Sequence, residues 1–444
     1  MFKKLVYFGL IGPLFGQEAL SLRDAVRFGL EHNTSMAAAR ERRSAAAARV
    51  GQANSGWLPR LNYAETWTRS DNPVFVFGSL LTQHQFTQQN FALGALNNPS
   101  ALNNFQSQLS LDQTIYDAGH VRSATHFARL AEDVSAENKR RVEQDVIADV
   151  VRAYYLVVLS EESLLAAREA VRSVEADLKR AQAVRASGMS TDVDVLSLRV
   201  HLAAVTEQQI RRTADRDVAR ATLNDVLGQP LDSSYALTSA LTKADIGDQS
   251  LEQYEREALD HRPETHQARL ATQLAATQVA AARSSLLPQI GAHADIEQDR
   301  QQLAGRAGGN WLASVSLRWN LFNGFGDKTR IEETKHLLRS SEAEQNRTTS
   351  AVRLEVRRAW ADLRAATQRI EVAQAAVEEA RESLRITQNR YAAGLNNVTD
   401  LLRNETAVLE AKTRYLAAVS DQRVAAAMLE RAAGTLSADS EVLN

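Results

Sequence analysis

Hydrophobic positions recur every seven residues along two long stretches of the chain. In the later stretch the large apolar series is Val356, Leu363, Ile370, Val377, Leu384 and Tyr391. The earlier stretch carries a matching series, Val150, Val157, Leu164, Val171 and Leu178. Alanine often stands three positions after a member of either series, and such spacing is typical of coiled-coil packing. We predict very long helices over residues 120–187 and 326–393, which return in helices over residues 191–228 and 397–433.

Shorter segments alternate apolar and polar residues, which indicates β-strands. The predicted strands cover residues 60–70, 105–116, 289–299 and 311–322. Each is about 10 residues long, the length with which a tilted strand crosses a bilayer. Trp311 and Trp319 fall near opposite ends of the last strand, where aromatic residues favour a membrane interface. A soluble sheet packed on a core alternates equally well, so the strands alone leave both readings open.

The predicted elements occur twice in the same order, which indicates an internal duplication. Tyr116, Gly188, Asp194 and Gly228 recur 206 positions later as Phe322, Gly394, Asp400 and Gly434, and Asn33 recurs 229 positions later as Arg262. The difference of 23 residues equals the excess of the 34-residue stretch 71–104 over the 11-residue stretch 300–310. The duplication therefore contains a single loop insertion. A helix over residues 21–54 or 250–286 opens each copy.

The N-terminus and the composition limit the possible location, partners and chemistry of these repeats. Lys3 and Lys4 precede an apolar run from Leu5 to Phe15, which predicts a signal peptide over residues 1–16. We place the first repeat at 17–228, a linker at 229–257, the second repeat at 258–434 and a tail at 435–444. The net charge of -2 argues against a nucleic-acid partner. The chain has 0 Cys, so disulfides and thiolate chemistry are excluded.

No segment after the signal peptide has the apolar length of a membrane-spanning helix. If the exported chain lies in a membrane, it must cross as a closed β-barrel, because open strand edges in lipid leave backbone groups unpaired. Four strands are too few, since about 8 is the smallest usual number. Several copies must then contribute to one barrel.

Particular motifs resemble the TolC family of outer-membrane efflux proteins. They are Ile115–Gly119 and Leu321–Gly324 at the strand-to-helix junctions, Gly188 with Thr191 and Asp194, Arg390–Gly394 with Asp400, and the repeat ends Gly228 and Gly434. The resemblance covers essentially the whole mature chain. It implies an α+β membrane protein, a homotrimer with a 12-stranded β-barrel in outer-membrane lipid, continuous with a periplasmic α-helical tunnel. It also implies a periplasmic adaptor protein and an inner-membrane pump as partners.

The turn at the tip of each helical hairpin is the predicted gate region. Gly188 and Gly394 suit the left-handed conformation that ends a long helix. Thr191 and Asn397 are expected to cap the return helices, with an aspartate three residues later in each. Those aspartates therefore have a structural role as cap residues beside a positive helix end.

The family resemblance implies further roles for residues of the tips. An aspartate matching Asp400 lines the periplasmic entrance in the family, where threefold symmetry makes a cation-favouring ring. Arg403 stands where a second aspartate is expected, which puts that selectivity in doubt. Tyr391 resembles a tyrosine that holds the gate shut against an aspartate matching Asp194. The alternative is that Tyr391 only closes the heptad seam. Asn396 replaces an arginine of a second gate contact.

Other features of the sequence give little support to a second function. The 71–104 segment is expected to be a variable surface loop, although it would also suit a cover over the pore mouth. The sequence contains no recognisable catalytic set and no close set of metal ligands, so we expect no enzyme activity and no cofactor. The main alternative to a channel is a secreted periplasmic coiled-coil adaptor or scaffold without a barrel.

Overall fold

A computed structural model describes residues 18–186, 191–245 and 249–443 of the chain. The predicted signal peptide, residues 1–16, and Gly188 lie outside the described residues. The described residues fall into two compact units. The first lies within Met1–Glu41, Glu137–Gln267 and Asn346–Asn444; the second comprises Arg42–Ala136 and Ala268–Gln345.

The elements of the first half run from a short strand to a long helical hairpin. In chain order they are β1 Glu18–Leu20, α1 Leu22–His32, α2 Thr34–Asn54, β2 Arg60–Ser70, α3 Pro73–Thr82, α4 Leu93–Asn97, β3 Leu102–Tyr116, α5 His120–Ala186 and α6 Asp192–Leu227. The α5 helix has 67 residues and the returning α6 has 36.

The second half repeats this order. Its elements are β4 Tyr235–Leu237, α7 Leu251–His261, α8 Pro263–Ser284, β5 Gln289–Arg300, β6 Ala307–Arg318, α9 Gly326–Ala392 and α10 Val398–Ala433. Helices α9 and α10 again have 67 and 36 residues. The paired helix lengths and the strand pairs confirm the predicted fold of two repeated units.

The core of the first unit lies along the predicted heptad seams. Val150, Val157 and Leu164 of α5 are buried, as are Val356 and Leu363 of α9. The largest enclosed side chains among the described residues, Tyr154 and Tyr155, belong to the same hydrophobic cluster as Val150 and Val157. The Tyr154 hydroxyl donates to Leu20 O at 2.9 Å, where β1 pairs in parallel with β4. Burial of a continuous apolar stripe is what stabilises helices of this length.

The first helix of each repeat is interrupted at the position marked by the sequence repeat. Asn33 separates α1 from α2, and Arg262 separates α7 from α8, with ψ of 131° at both residues. We predicted one continuous helix in each case. The break places the polar side chain against the end of the return helix: Asn33 Nδ2 donates to Val226 O at 2.8 Å. Arg262 donates to Ala432 O, which is the equivalent carbonyl.

The second unit holds one antiparallel sheet in the order β2-β3-β5-β6. Strand β2 covers the predicted residues, and β5 extends one residue further. Strand β3 begins three residues earlier, at Leu102. Strand β6 was predicted over 311–322 but covers 307–318, because pairing of Arg300 with Ala307 fixes its register. Trp319 therefore lies outside the strand, where its Nε1 donates to Leu286 O at 3.0 Å.

The 71–104 segment, which we expected to be a surface loop, contains short helices. It contains α3, a 3-10 helix at Gln88–Phe91 and α4. Edge-to-face contacts join Phe86 to Phe77 and Phe91 at 4.8 and 5.1 Å between ring centroids. The described helices include none that is both long enough and apolar enough to span a bilayer.

Candidate functional site

One face of the four-stranded sheet is apolar and exposed. Tyr63, Leu109, Ile296 and Trp311 lie side by side across the four strands in a single row. Their exposed fractions are 67, 42, 60 and 78%. Val315 and Leu317 continue this face along β6, about 13 and 20 Å from Trp311 at ~3.3 Å per residue. An exposed apolar surface of this extent marks a region that contacts lipid or another protein.

The opposite face of the sheet is polar and strongly acidic. Its register places Asp112 opposite His293, followed along β5 by Asp295, Glu297 and Asp299. His293 bridges two of these carboxylates, with Nδ1 at 2.7 Å from Asp112 and Nε2 at 3.1 Å from Asp295. A surface with this charge attracts cations. The sheet therefore separates an apolar environment from a polar one.

The insertion of the first repeat docks onto this polar face. Asn310 Nδ2 donates to Thr82 O at 3.3 Å. Gly308 has no side chain at the same place, and a Cβ atom there would lie 1.9 Å from Thr82 O. The neighbouring Gln83 is fully buried, and its amide donates to Asn104 Oδ1 at 2.9 Å. The end of α3 is therefore fixed on the acidic side of the sheet.

In the first unit, the two hairpin tips use related caps. Thr191 and Asp194 form a reciprocal capping box at the start of α6, with both bonds at 3.3 Å. Asn397 caps α10 by accepting from Asp400 N at 2.9 Å. Gly394 has φ of 73°, the left-handed conformation that ends α9. These four residues have the cap and turn geometry that their sequence pattern predicts.

Tyr391 lies near Asp194 of the tip and near Asp177 of α5, and it also contacts a hydrophobic cluster. It packs on the cluster formed by Ala181, Val195, Leu198 and Val398. Burial, followed by the nearby charges of Asp194 and Asp177, raises the pKa of the Tyr391 hydroxyl. The geometry within one chain therefore brings together the two residues predicted as gate contacts. It also gives Tyr391 the seam position of the alternative interpretation.

The predicted entrance residues lie on the first turns of α10. Asp400 is half-buried and Arg403 is exposed. Asn396, which stands where the family resemblance implies an arginine, has its amide 3.5 Å from Asp400 Oδ2. Asp400 therefore interacts with neutral groups of its own tip, while Arg403 is free to face solvent.

A buried acidic cluster lies further along the same hairpins, and the sequence analysis missed it. Glu405 of α10 and Asp177 of α5 are only 8 and 3% exposed. His201 Nε2 of α6 lies 3.5 Å from Glu405 Oε2. Burial and then the neighbouring Asp177 raise the pKa of Glu405 to about 8. Glu405 stands seven residues after Val398, so a carboxyl within the apolar stripe of α10 was the available signal.

A cavity of about 330 Å³ borders this cluster. Its wall includes Leu384 of α9 and the pair formed by Glu169 and Lys412, besides His201 and Glu405. Burial lowers the pKa of His201, which favours the neutral imidazole. No group of residues suited to hold a metal ion occurs in the described parts of the chain.

Comparison with known proteins gives consistent matches over both repeats. The family model described as outer membrane efflux protein matches residues 29–229 and 255–435. The chain is 29% identical to protein CyaE of Bordetella pertussis over 337 residues, 74% of this chain and 70% of that protein. It is 23% identical to the alkaline protease secretion protein AprF of Pseudomonas aeruginosa over 426 residues, which cover 94 and 85% of the two chains.

A solved structure shows the same fold. The Campylobacter jejuni CmeC outer membrane channel superposes with a TM-score of 0.78 at 16% identity. The match covers 100% of this chain and 95% of that chain. Both long helical hairpins and both strand pairs therefore have counterparts in that fold.

Proposed function

Because this chain belongs to the outer membrane efflux protein family, we propose that it is the outer-membrane channel of a tripartite efflux or type I secretion system. It carries substrates passively from an inner-membrane pump across the periplasm and the outer membrane. An adaptor protein in the periplasm joins the pump to the helical hairpins. The likeness to a protein named for alkaline protease secretion supports protein cargo beside the small molecules of efflux systems.

The observation that carries this proposal is the two-sided sheet. The row from Tyr63 to Trp311 is exposed and apolar, while Asp112, Asp295 and Glu297 occupy the opposite face. Lipid on one side and an aqueous pore on the other explain this division. Strands β2 and β6 form the two edges of the sheet in one chain. Three copies joined edge to edge give 12 strands, a closed barrel without unpaired edges.

In this arrangement the docked insertion lies on the pore side of the barrel. Thr82 and Gln83 contact Gly308, Asn310 and Asn104, all of which belong to the polar face. The three copies of α3 in a trimer then narrow the exit of the pore.

The channel is tested by planar-bilayer recording of the protein purified from outer membranes. We expect discrete conductance steps from a trimer that dissociates only on heating in detergent. A protein that fractionates with the soluble periplasm and gives no conductance would instead support the alternative, a coiled-coil scaffold without a barrel. The row from Tyr63 to Trp311 would then face another protein.

We further propose that the hairpin tips form the periplasmic gate. Tyr391 and Asp194 hold neighbouring hairpins together, and Asp400 with Arg403 lines the entrance. The double variant Tyr391→Phe with Asp194→Ala should raise the single-channel conductance, because it removes both partners of the contact. Tyr415→Phe, at a half-buried tyrosine of α10, is the control and should leave conductance unchanged. An unchanged conductance of the double variant would restrict Tyr391 to seam packing.

A further inference from the structure

We propose that Asp177 and Glu405 form a proton-binding site, in which one shared proton ties return helix α10 to α5. The site lies seven residues beyond the start of α10, about 10 Å from the hairpin tip at ~1.5 Å per residue. Its proton sets how firmly the tips are held together. The site lies within the folded hairpins, so its proton binding does not depend on ion conduction.

Unpaired oxygen atoms are the first argument for a bound proton. Glu405 Oε1 accepts from Ser173 Oγ at 3.2 Å, and Asp177 Oδ1 accepts from Arg180 Nη1 at 3.0 Å. The remaining oxygens, Glu405 Oε2 and Asp177 Oδ2, are buried without a hydrogen-bond donor among the described residues. Two facing carboxylates have no donor of their own, but one proton between them supplies a hydrogen bond to both.

The surrounding charges place this proton on Glu405. Asp177 already has a cationic partner in Arg180, whose Nη1 lies 3.0 Å from Asp177 Oδ1. Glu405 has only the Ser173 hydroxyl and the His201 imidazole, whose Nε2 lies 3.5 Å from Glu405 Oε2 and whose pKa is lowered by burial. The other charged groups at the cavity wall, Glu169 and Lys412, form an ion pair with each other. The neutral form of Glu405 therefore costs least in this environment.

The adjoining cavity gives the proton a route to solvent. Its volume of about 330 Å³ holds several water molecules at ~30 Å³ each. Ser173, His201 and Glu405 all contribute to its wall. The carboxyl pair is therefore buried yet able to exchange its proton with the periplasm.

The direction of the pH effect follows from the raised pKa. Glu405 titrates near 4.5 when exposed and near 8 in the folded hairpins. Between these values the folded state binds one proton more than the unfolded state, so stability falls as pH rises. Above about pH 8 two buried carboxylates repel each other, and α10 separates from α5. The tips are held firmly in neutral or acidic surroundings and loosely in alkaline ones.

Infrared difference spectroscopy on the full chain in detergent tests the site directly. We expect the band of a protonated carboxyl to disappear around pH 8 in the wild type and to be absent in Glu405→Gln. Asp177→Asn should lower the midpoint by about one pH unit or more, because it removes a like charge but not the burial. Glu410→Gln, an exposed carboxylate of the same helix paired with Arg414, should retain the wild-type band. A band that survives in Glu405→Gln would overturn the proposal.

Hydrogen exchange tests whether the proton ties the helices together. Glu405→Gln carries an amide that can donate to Asp177 at any pH, so wild type and variant should exchange equally at pH 6. At pH 9 the wild-type amides of α10 near Glu405 should exchange about tenfold faster than those of the variant, since ionisation exceeds protonation tenfold there. Comparison at one pH removes the intrinsic pH dependence of exchange. Equal exchange rates of wild type and Glu405→Gln at pH 9 would show that the proton does not hold α10 to α5, even if the carboxyl titrates.

Discussion

The two repeats form the same backbone junction with different side chains. Each opening helix breaks at one residue, Asn33 or Arg262, with ψ of 131° in both. Each break contacts the glycine that ends a return helix: a Cβ on Gly228 would lie 2.5 Å from His32 O. On Gly434 it would lie 2.8 Å from Arg262 N. The first repeat completes the junction with one amide, the second with a guanidinium.

The second junction carries an ionic network that the first lacks at its Asn33 side chain. Arg262 binds both oxygens of Glu264, at 3.0 and 2.9 Å, and reaches Glu355 at 2.6 Å. Arg431 joins Glu355 to Asp145 of α5. The backbone break and the glycine therefore define the junction. The polar side chain determines how much the free energy of unfolding falls when the junction is disrupted.

Removal of the junction side chain should lower the free energy of unfolding by different amounts in the two repeats, and this is the largest difference that we expect between them. Arg262→Ala should lower the free energy of unfolding by about 3–5 kcal/mol, because it removes a buried guanidinium and leaves the half-buried carboxylate of Glu264 without its cation. Asn33→Ala loses an amide bond to Val226 O and should cost about 1–2 kcal/mol. Chemical denaturation of the purified protein measures both. Equal losses would mean that the ionic network adds nothing to the second junction.

The stability that Arg262 adds to the second junction depends on pH with a definite sign. Burial alone would raise the pKa of Glu264, but its bonds to Arg262 and the field of that cation lower it below 4.5. A depressed carboxyl pKa contributes stability that is present above the ordinary value and lost as pH falls through the folded one. The difference in the free energy of unfolding between wild type and Arg262→Ala should therefore decrease in acid. If this difference is constant from neutral pH to about pH 4, Glu264 is excluded as its source.

The glycines test whether the backbone contact is shared by both junctions. Gly228→Ala and Gly434→Ala should each lower the free energy of unfolding by about 3 kcal/mol, since strain at positive φ adds to a clash with backbone atoms. Gly394→Ala is the matched control: its φ of 73° is similar, but nothing lies within 4 Å of a Cβ atom. It should cost about 1 kcal/mol. Similar losses at all three would show that φ alone matters.

The sequence predicted the fold better than it predicted the contacts. Heptads and alternation depend on local spacing, so the 67-residue helices and four strands could be read from the chain. The register of β6 could not, because alternation continues beyond Arg318 and only pairing with β5 fixes its ends. Glu405 was missed because a carboxyl in an apolar stripe resembles an exposed position until its neighbours are known. The docking of Thr82 on Gly308 joins residues more than 200 positions apart.

The insertion is the largest difference between the repeats, and two adjacent glycines test its position. Gly308→Ala places a Cβ 1.9 Å from Thr82 O and should displace α3, at a cost of about 1–3 kcal/mol. Gly309→Ala, with nothing within 4 Å, should leave the insertion in place. If α3 narrows the pore, Gly308→Ala alone should raise single-channel conductance and protease cleavage near Thr82. Raised cleavage with unchanged conductance would place the insertion outside the ion path.

The smallest expected effect compares the caps of the two hairpin tips. Thr191 forms a reciprocal box with Asp194, in which the carboxylate also accepts from the Thr191 backbone. Asn397 accepts from Asp400 N at 2.9 Å, and the Asp400 carboxylate lies near the Asn396 amide instead. Thr191→Ala and Asn397→Ala should each lower the free energy of unfolding by about 1 kcal/mol.

A cap contributes only to its first helical turn, so the loss should show as faster amide exchange in residues 192–195 or 398–401. Because Asp194 retains a bond to the Thr191 backbone after Thr191→Ala, α6 should begin at the same residue in that variant. In Asn397→Ala nothing equivalent replaces the lost acceptor, so α10 should fray further; equal fraying would show that the reciprocal bond adds no stability to the first tip.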